Sequence, residues 1–394
     1  MTNLVEETPK KFVRINAVDV LQGIALCIMF VQHSFLWWDY DAFLEQMNSL
    51  FIIAAYAGAF VAPTFLLLMG FNMRDSIARR MSTTSFSEVR KYLLKRVVVF
   101  LALGFLNNVL MTVVTFTLGL IDFLTWLFTW DLLHLFGITS LFLYCIYEIA
   151  HQLNTRTLLN ASIGTQLTIL CSFALIIILL FMLILQALYL GDFSFSVLYP
   201  ERVPVFRPNN IVETIQIALV RGGYAIFPYT SFGVVGFLVA NISLSLSNKK
   251  SWEKAIVGII VIFTVIGGSL FVFLRIPIVF PLILHMPSLS FLFLYWATQL
   301  VVFFVALLVF DVLKEKRVLL PYVKPLTRMS AITLTIYYTH FTLYSFINPS
   351  LVPNSLVLFI LIALFILLYM LIAYEWEKKK FKYSLEWIIR KLTT

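Results

Sequence analysis

Residues 17–38 read AVDVLQGIALCIMFVQHSFLWW, from Ala17 to Trp38. As a helix the run is long enough to cross a hydrocarbon core of about 30 Å, yet it carries Asp19, Gln22, Gln32 and His33. An ionisable side chain at the centre of a membrane helix costs about 2.5–3.5 kcal/mol on insertion scales unless it finds a partner or a wet cavity. Gln22 and His33 are eleven positions apart, which is about 20° past three full turns and about 16 Å along the axis. Asp19 precedes His33 by fourteen positions, about 40° short of four turns. The three residues therefore share one expected polar face, running from the helix start into the far half of the membrane. Gln32 lies about 100° around from His33 and faces elsewhere.

The rest of the chain extends this pattern. Of 394 residues, 61% are apolar and 12% charged, against about 45–50% and 25% in soluble domains. With a mean hydropathy of +0.94, a soluble enzyme and a disordered chain are both excluded. Apolar runs predict ten crossings, at 17–38, 50–70, 97–119, 132–150, 164–190, 222–245, 255–274, 288–310, 329–348 and 354–374. With the N-terminus placed in the cytoplasm, 25 of the 29 Lys and Arg fall on that side, leaving Arg202, Arg207, Arg221 and Arg275 outside. This asymmetry sets the expected orientation, with both termini cytoplasmic. It also makes the net charge of +9 a topology signal, so nucleic acid is not an expected partner.

The expected fold is an all-α polytopic membrane bundle in a lipid bilayer, at the plasma (cytoplasmic) membrane. Residues 1–16 form a cytoplasmic leader, residues 17–374 one transmembrane domain, and residues 375–394 an amphipathic helix on the inner leaflet. The first apolar run is too long for a secretory leader, so it is expected to remain in the mature chain. The segment from Gly191 to Arg221 is the longest outer loop expected, and its length suits a substrate-facing surface. Cys27, Cys145 and Cys171 sit in apolar runs without a CxxC pair, so neither a disulfide framework nor a metal site is expected.

Further polar residues stand at membrane depth. Asp131 and His134 are spaced i, i+3, within reach of each other on one helix face. His340 closes a dense set of Thr333, Thr335, Tyr337, Tyr338 and Thr339, and Asn107 and Asn108 are adjacent in the third span. Asn, Thr and His in membrane helices also serve simply to bond a neighbouring helix. Histidine adds proton uptake and release near neutral pH. Read alone, the polar face suits either an enzyme site or a transporter's proton or solute pathway.

Several stretches resemble a known family. The segment from Arg14 to Ala25 followed by His33, Ala62-Pro63-Thr64 through Gly70-Phe71, and Lys95-Arg96 leading to Leu103-Gly104-Phe105 are similar to the early motifs of the transmembrane acyltransferases. Specifically, they resemble the heparan-alpha-glucosaminide N-acetyltransferase catalytic-domain family. Asp131 through Ile138, Phe227-Pro228-Tyr229 with Gly233 and Gly236, and Ser330 through His340 look like its later ones. The resemblance implies transfer of an acyl group, commonly acetyl, from cytoplasmic acyl-CoA to a hydroxyl or amine of a sugar on the far side. It implies no metal, and leaves assembly as a homo-oligomer open. By this likeness His33 takes the catalytic position and Asp19 the acidic position near the start of the span, with Asp131, His134 and His340 lining the site. Where the wider superfamily carries Arg ahead of the histidine, this chain has Gln22, which lacks a guanidinium's charged grip on phosphate. Arg14, Arg74 and Arg96 are the alternative sources of that charge. A family member that binds without catalysing is the remaining alternative that Gln22 raises.

Overall fold

The computed structural model describes residues 16–38, 60–117, 132–155, 162–189, 219, 226–246, 249–273, 289–312, 320–345 and 355–393. Their regular structure is helical throughout: α1 Asn16–Trp38, α2 Val61–Met81, α3 Phe86–Thr117, α4 Leu132–Thr155, α5 Ile163–Tyr189, α6 Ile226–Ser245, α7 Lys249–Phe273, α8 Leu289–Leu307 continued by a π turn to Val312, α9 Leu320–Ser330, α10 Thr333–Ser345, α11 Ser355–Lys378 and α12 Leu385–Thr393. Among the described residues, eight helices (α1, α3 to α8 and α11) are long and apolar enough to cross a membrane. The expected crossings at 50–70 and 329–348 overlap α2 and α10, with parts of both ranges outside the described residues.

Lipid-facing helices carry apolar side chains on their outward surfaces. Val261, Ile262, Val265 and Val272 of α7 are exposed from the bundle, as a helix bordered by hydrocarbon requires. The interior is a continuous apolar cluster in which Phe30, Phe232, Phe237, Trp296 and Tyr344 are among the large fully buried side chains. Helix α2 packs on α6 over the most extensive helix pairing. A Cβ on Gly70 would overlap the Gly233 carbonyl, and one on Gly236 would overlap the Leu67 carbonyl. Small residues at these points let the two backbones touch, the usual device for membrane helices that have no hydrophobic force to hold them together.

Three boundaries differ from the sequence expectation. Helix α3 starts at Phe86, eleven residues before the predicted span, because Ser85 caps it with its hydroxyl accepting from the Glu88 amide at 3.4 Å; Ser-x-x-Glu is a helix-start signal. The span predicted at 329–348 is split: α9 ends at Ser330 and α10 begins at Thr333, with Thr333 Oγ1 donating to the Ser330 carbonyl across the break. The C-terminal amphipathic helix is shorter than 375–394. Helix α11 runs to Lys378, a turn with positive φ at Lys380, Phe381 and Tyr383 follows, and α12 docks on α3 and α10.

Short contacts bring one set of helix ends together. Phe86 stacks on His151 at 3.5 Å, Asn241 reaches Gly164, Ser330 reaches Asp19 and Arg328 pairs with Glu377 at 2.7 Å. Arg79, Arg80, Arg90, Arg328, Lys378 to Lys380 and Arg390 therefore collect at one end of the bundle, called here the basic end. The four basic residues expected on the opposite side lie outside the described residues.

Candidate functional site

The two membrane-depth histidines of α1 and α10 touch. His33 Nδ1 and His340 Nε2 are 2.8 Å apart, and the rings stack at 5.1 Å with planes 15° apart. His340 Nδ1 lies 2.6 Å from the Tyr337 carbonyl and 3.2 Å from that of Ile336. Carbonyl oxygens only accept, so His340 must donate from Nδ1. In the neutral pair its Nε2 is then an acceptor, and the proton between the rings belongs to His33 Nδ1. The hydrogen-bond network thereby assigns both tautomers and puts the basic lone pair of His33 on Nε2.

Packing holds this arrangement. His340 is fully buried, whereas His33 is half-buried. Tyr344 meets His340 edge-on at 5.6 Å, and its hydroxyl donates to the Phe30 carbonyl at 3.2 Å while accepting from Ser34 at 3.2 Å. Phe30 turns its edge to His340 and stacks on Tyr369 at 4.9 Å. Thr339 and Tyr369 hydroxyls lie 3.0 Å apart, tying α11 to the same cluster.

Asp19 and Gln22 form a second cluster nearer the basic end. The Ser330 hydroxyl is shared between Gln22 Oε1 at 3.2 Å and Asp19 Oδ1 at 3.5 Å. Asp19 is about 21 Å from His33 along the helix axis, so it is not a direct partner of that ring. Between the clusters, Leu26 and Met29 occupy the same face and are 0% and 2% exposed. The polar face expected from spacing is thus interrupted by buried apolar side chains. Gln22 serves as a neutral hydrogen-bond acceptor at the junction of α1 and α9.

The remaining predicted residues divide between other places. Arg14 and Asp131 lie outside the described residues. His134 of α4 packs against Gly104 of α3, next to Leu103, whose carbonyl accepts from the Tyr338 hydroxyl of α10. It therefore adjoins the anchor of the helix that carries His340. Arg96 reaches the Tyr92 hydroxyl at 3.4 Å, and Arg80 lies over the Tyr92 ring at 3.6 Å, both near the basic end. Arg74 is buried between α2 and α6 with Asn241 as its hydrogen-bond partner. Among the described residues, no three His, Cys, Asp or Glu gather as a metal would need.

Glu386 was not singled out by sequence reasoning. Its carboxylate accepts from the Leu334 and Thr335 amides and from the Thr335 hydroxyl at 2.8 Å, satisfying the exposed donors at the start of α10. Burial pushes this carboxyl above its ordinary pKa, and the donors of Thr335 and Leu334 partly oppose the shift. The signal for Tyr344 was available, since it stands one helical turn after His340. Nothing in the sequence linked position 386 to 334.

No family model matches the chain, and no curated protein matches it.

Proposed function

We propose that this is an integral-membrane acyltransferase, moving an acyl group, acetyl by the resemblance, from acyl-CoA at a cytoplasmic basic end to a sugar hydroxyl or amine from the opposite side. The observation that carries the reading is the His33–His340 hydrogen bond, which orients a half-buried imidazole with its lone pair on Nε2. A base held by a second group is the arrangement general-base and nucleophilic catalysis share. As general base, His33 takes the proton from the acceptor while the acceptor's oxygen or nitrogen attacks the thioester carbonyl. The C–S bond breaks and the proton passes to the thiolate, releasing CoA. As acyl carrier, Nε2 itself bonds to the carbonyl carbon as the C–S bond breaks and CoA leaves as thiolate; in a second step the acceptor attacks that carbon, the N–C bond breaks, and the freed imidazole takes the acceptor's proton.

A transporter with a proton pathway needs a connected polar route. The buried Leu26 and Met29 between the two polar clusters weigh against it. Turnover of labelled acetyl-CoA by purified protein in vesicles, with a panel of amino sugars and glycans, tests the proposal. Transfer by the wild type that is lost in His33→Ala is expected. Proton-coupled solute uptake with neither CoA binding nor label transfer would overturn it.

A further inference from the structure

Arg74 is 8% exposed and about 10 Å inside the basic end, since seven residues of α2 follow it before the helix stops. Its Nε donates to Asn241 Oδ1 at 3.0 Å. Asn241 is fixed in turn, its amide donating to the Gly164 carbonyl at 2.7 Å and to Thr168 Oγ1 at 3.1 Å. That bond uses one of five guanidinium donors. Among the described residues no carboxylate pairs with Arg74 and neither terminal nitrogen has a hydrogen-bond partner. The acid on its own helix, Asp75, is taken by Arg79. The groups felt electrostatically at Arg74 are Tyr147 and Cys171, both uncharged at neutral pH.

A buried guanidinium cannot shed its proton to escape the low dielectric, and a buried charge without a counter-charge is strongly unfavourable. The first turn of α5, reached by Asn241 at Gly164, contributes a further positive helix end. The terminal nitrogens are not fully sealed from the surface. What remains is a fork of N–H donors with the geometry that phosphate oxygens fit bidentately. Arg80, nearer the same end of α2, adds positive potential there.

We propose that Arg74, held by Asn241, is a binding site for a phosphate group that enters from the basic end. The group belongs either to a soluble phosphate ester or to a phospholipid headgroup of that leaflet. The inference stands whether or not the chain transfers acyl groups, because its readout is binding.

The experiment follows thermal unfolding of the full chain, wild type beside Arg74→Met and Asn241→Asp, with two probes. Inorganic phosphate is titrated in detergent against chloride of equal ionic strength. Separately, nanodiscs of phosphatidylcholine are compared with nanodiscs containing phosphatidylglycerol. The wild-type midpoint is expected to rise by about 3–5 °C with at least one probe. Arg74→Met should lose the shift. Asn241→Asp supplies the missing carboxylate from within, so it should also lose the shift, from a lower starting midpoint because the amide's bonds to Gly164 and Thr168 go with it. A response to phosphate in detergent identifies a soluble ester, and a response confined to phosphatidylglycerol identifies a lipid headgroup. Equal shifts in all three proteins, or no wild-type shift with either probe, would overturn the site.

Discussion

His33 and His340 divide their task by exposure. In the proposed reaction the half-buried ring of His33 would meet the reagent, while the fully buried His340 fixes which nitrogen of His33 is basic. His340 is thus a positioning residue, and its removal should lower kcat more than it alters KM. We expect His340→Ala to reduce acyl turnover by about 10–100-fold, less than the roughly 10²–10⁴-fold that an acid–base group itself contributes, because His340 acts through His33. His340→Gln, whose amide oxygen retains an acceptor for His33 Nδ1, should recover part of the loss. Steady-state kinetics of the two variants with acetyl-CoA check this. Equal losses in both would show that the acceptor does not matter.

At the scale of helices, the α2–α6 crossing and the docking of α12 carry separate predictions. Gly70→Ala forces a methyl group into the Gly233 carbonyl, so it should destabilise by about 1–3 kcal/mol as overpacking does. Gly268→Ala, where an added Cβ meets nothing within 4 Å, should be neutral or slightly stabilising. Thermal unfolding in detergent compares them. Glu386→Ala removes the acceptor at the start of α10 and is expected to cost about 1–2 kcal/mol, as loss of a helix cap does. The Glu386 carboxyl has a raised pKa when folded. Its folded state therefore holds more protons than the unfolded state between the ordinary value of 4.5 and the raised one. Its contribution to stability consequently falls as pH rises through that window and is greatest below it. The difference in unfolding midpoint between wild type and Glu386→Gln, measured across pH 4 to 7, should narrow or reverse accordingly. A flat difference would mean that burial does not govern this carboxyl.

At the scale of the whole molecule, the helices gather basic residues at one end among the described residues, and the positive-inside rule predicts that this end, with the C-terminus, is cytoplasmic. A reporter active only in the cytoplasm should therefore work when fused after Thr394, and one active only outside should fail. The opposite result would invert the proposed entry side for acyl-CoA.

Local chemistry made most of the helices legible from the sequence. Twenty apolar residues have few alternatives to a membrane helix, because hydrocarbon offers no partner to an open backbone, and the Lys and Arg distribution ordered the crossings. The early start of α3 was also written locally, in Ser85 and Glu88. Spacing along α1 put Asp19, Gln22 and His33 on one face, yet periodicity describes one helix and carries no information about its neighbours. That His33 meets His340, that Asp19 and Gln22 meet Ser330, and that Glu386 meets Leu334 are contacts across about 50 to more than 300 residues of chain. The sequence by itself determined the helical membrane class and the identities of the polar residues, through hydrophobic length and charge. Tertiary packing alone decided their partners, because a hydrogen bond reaches about 3 Å and which helices come within that distance depends on close crossings such as Gly70 on Gly233.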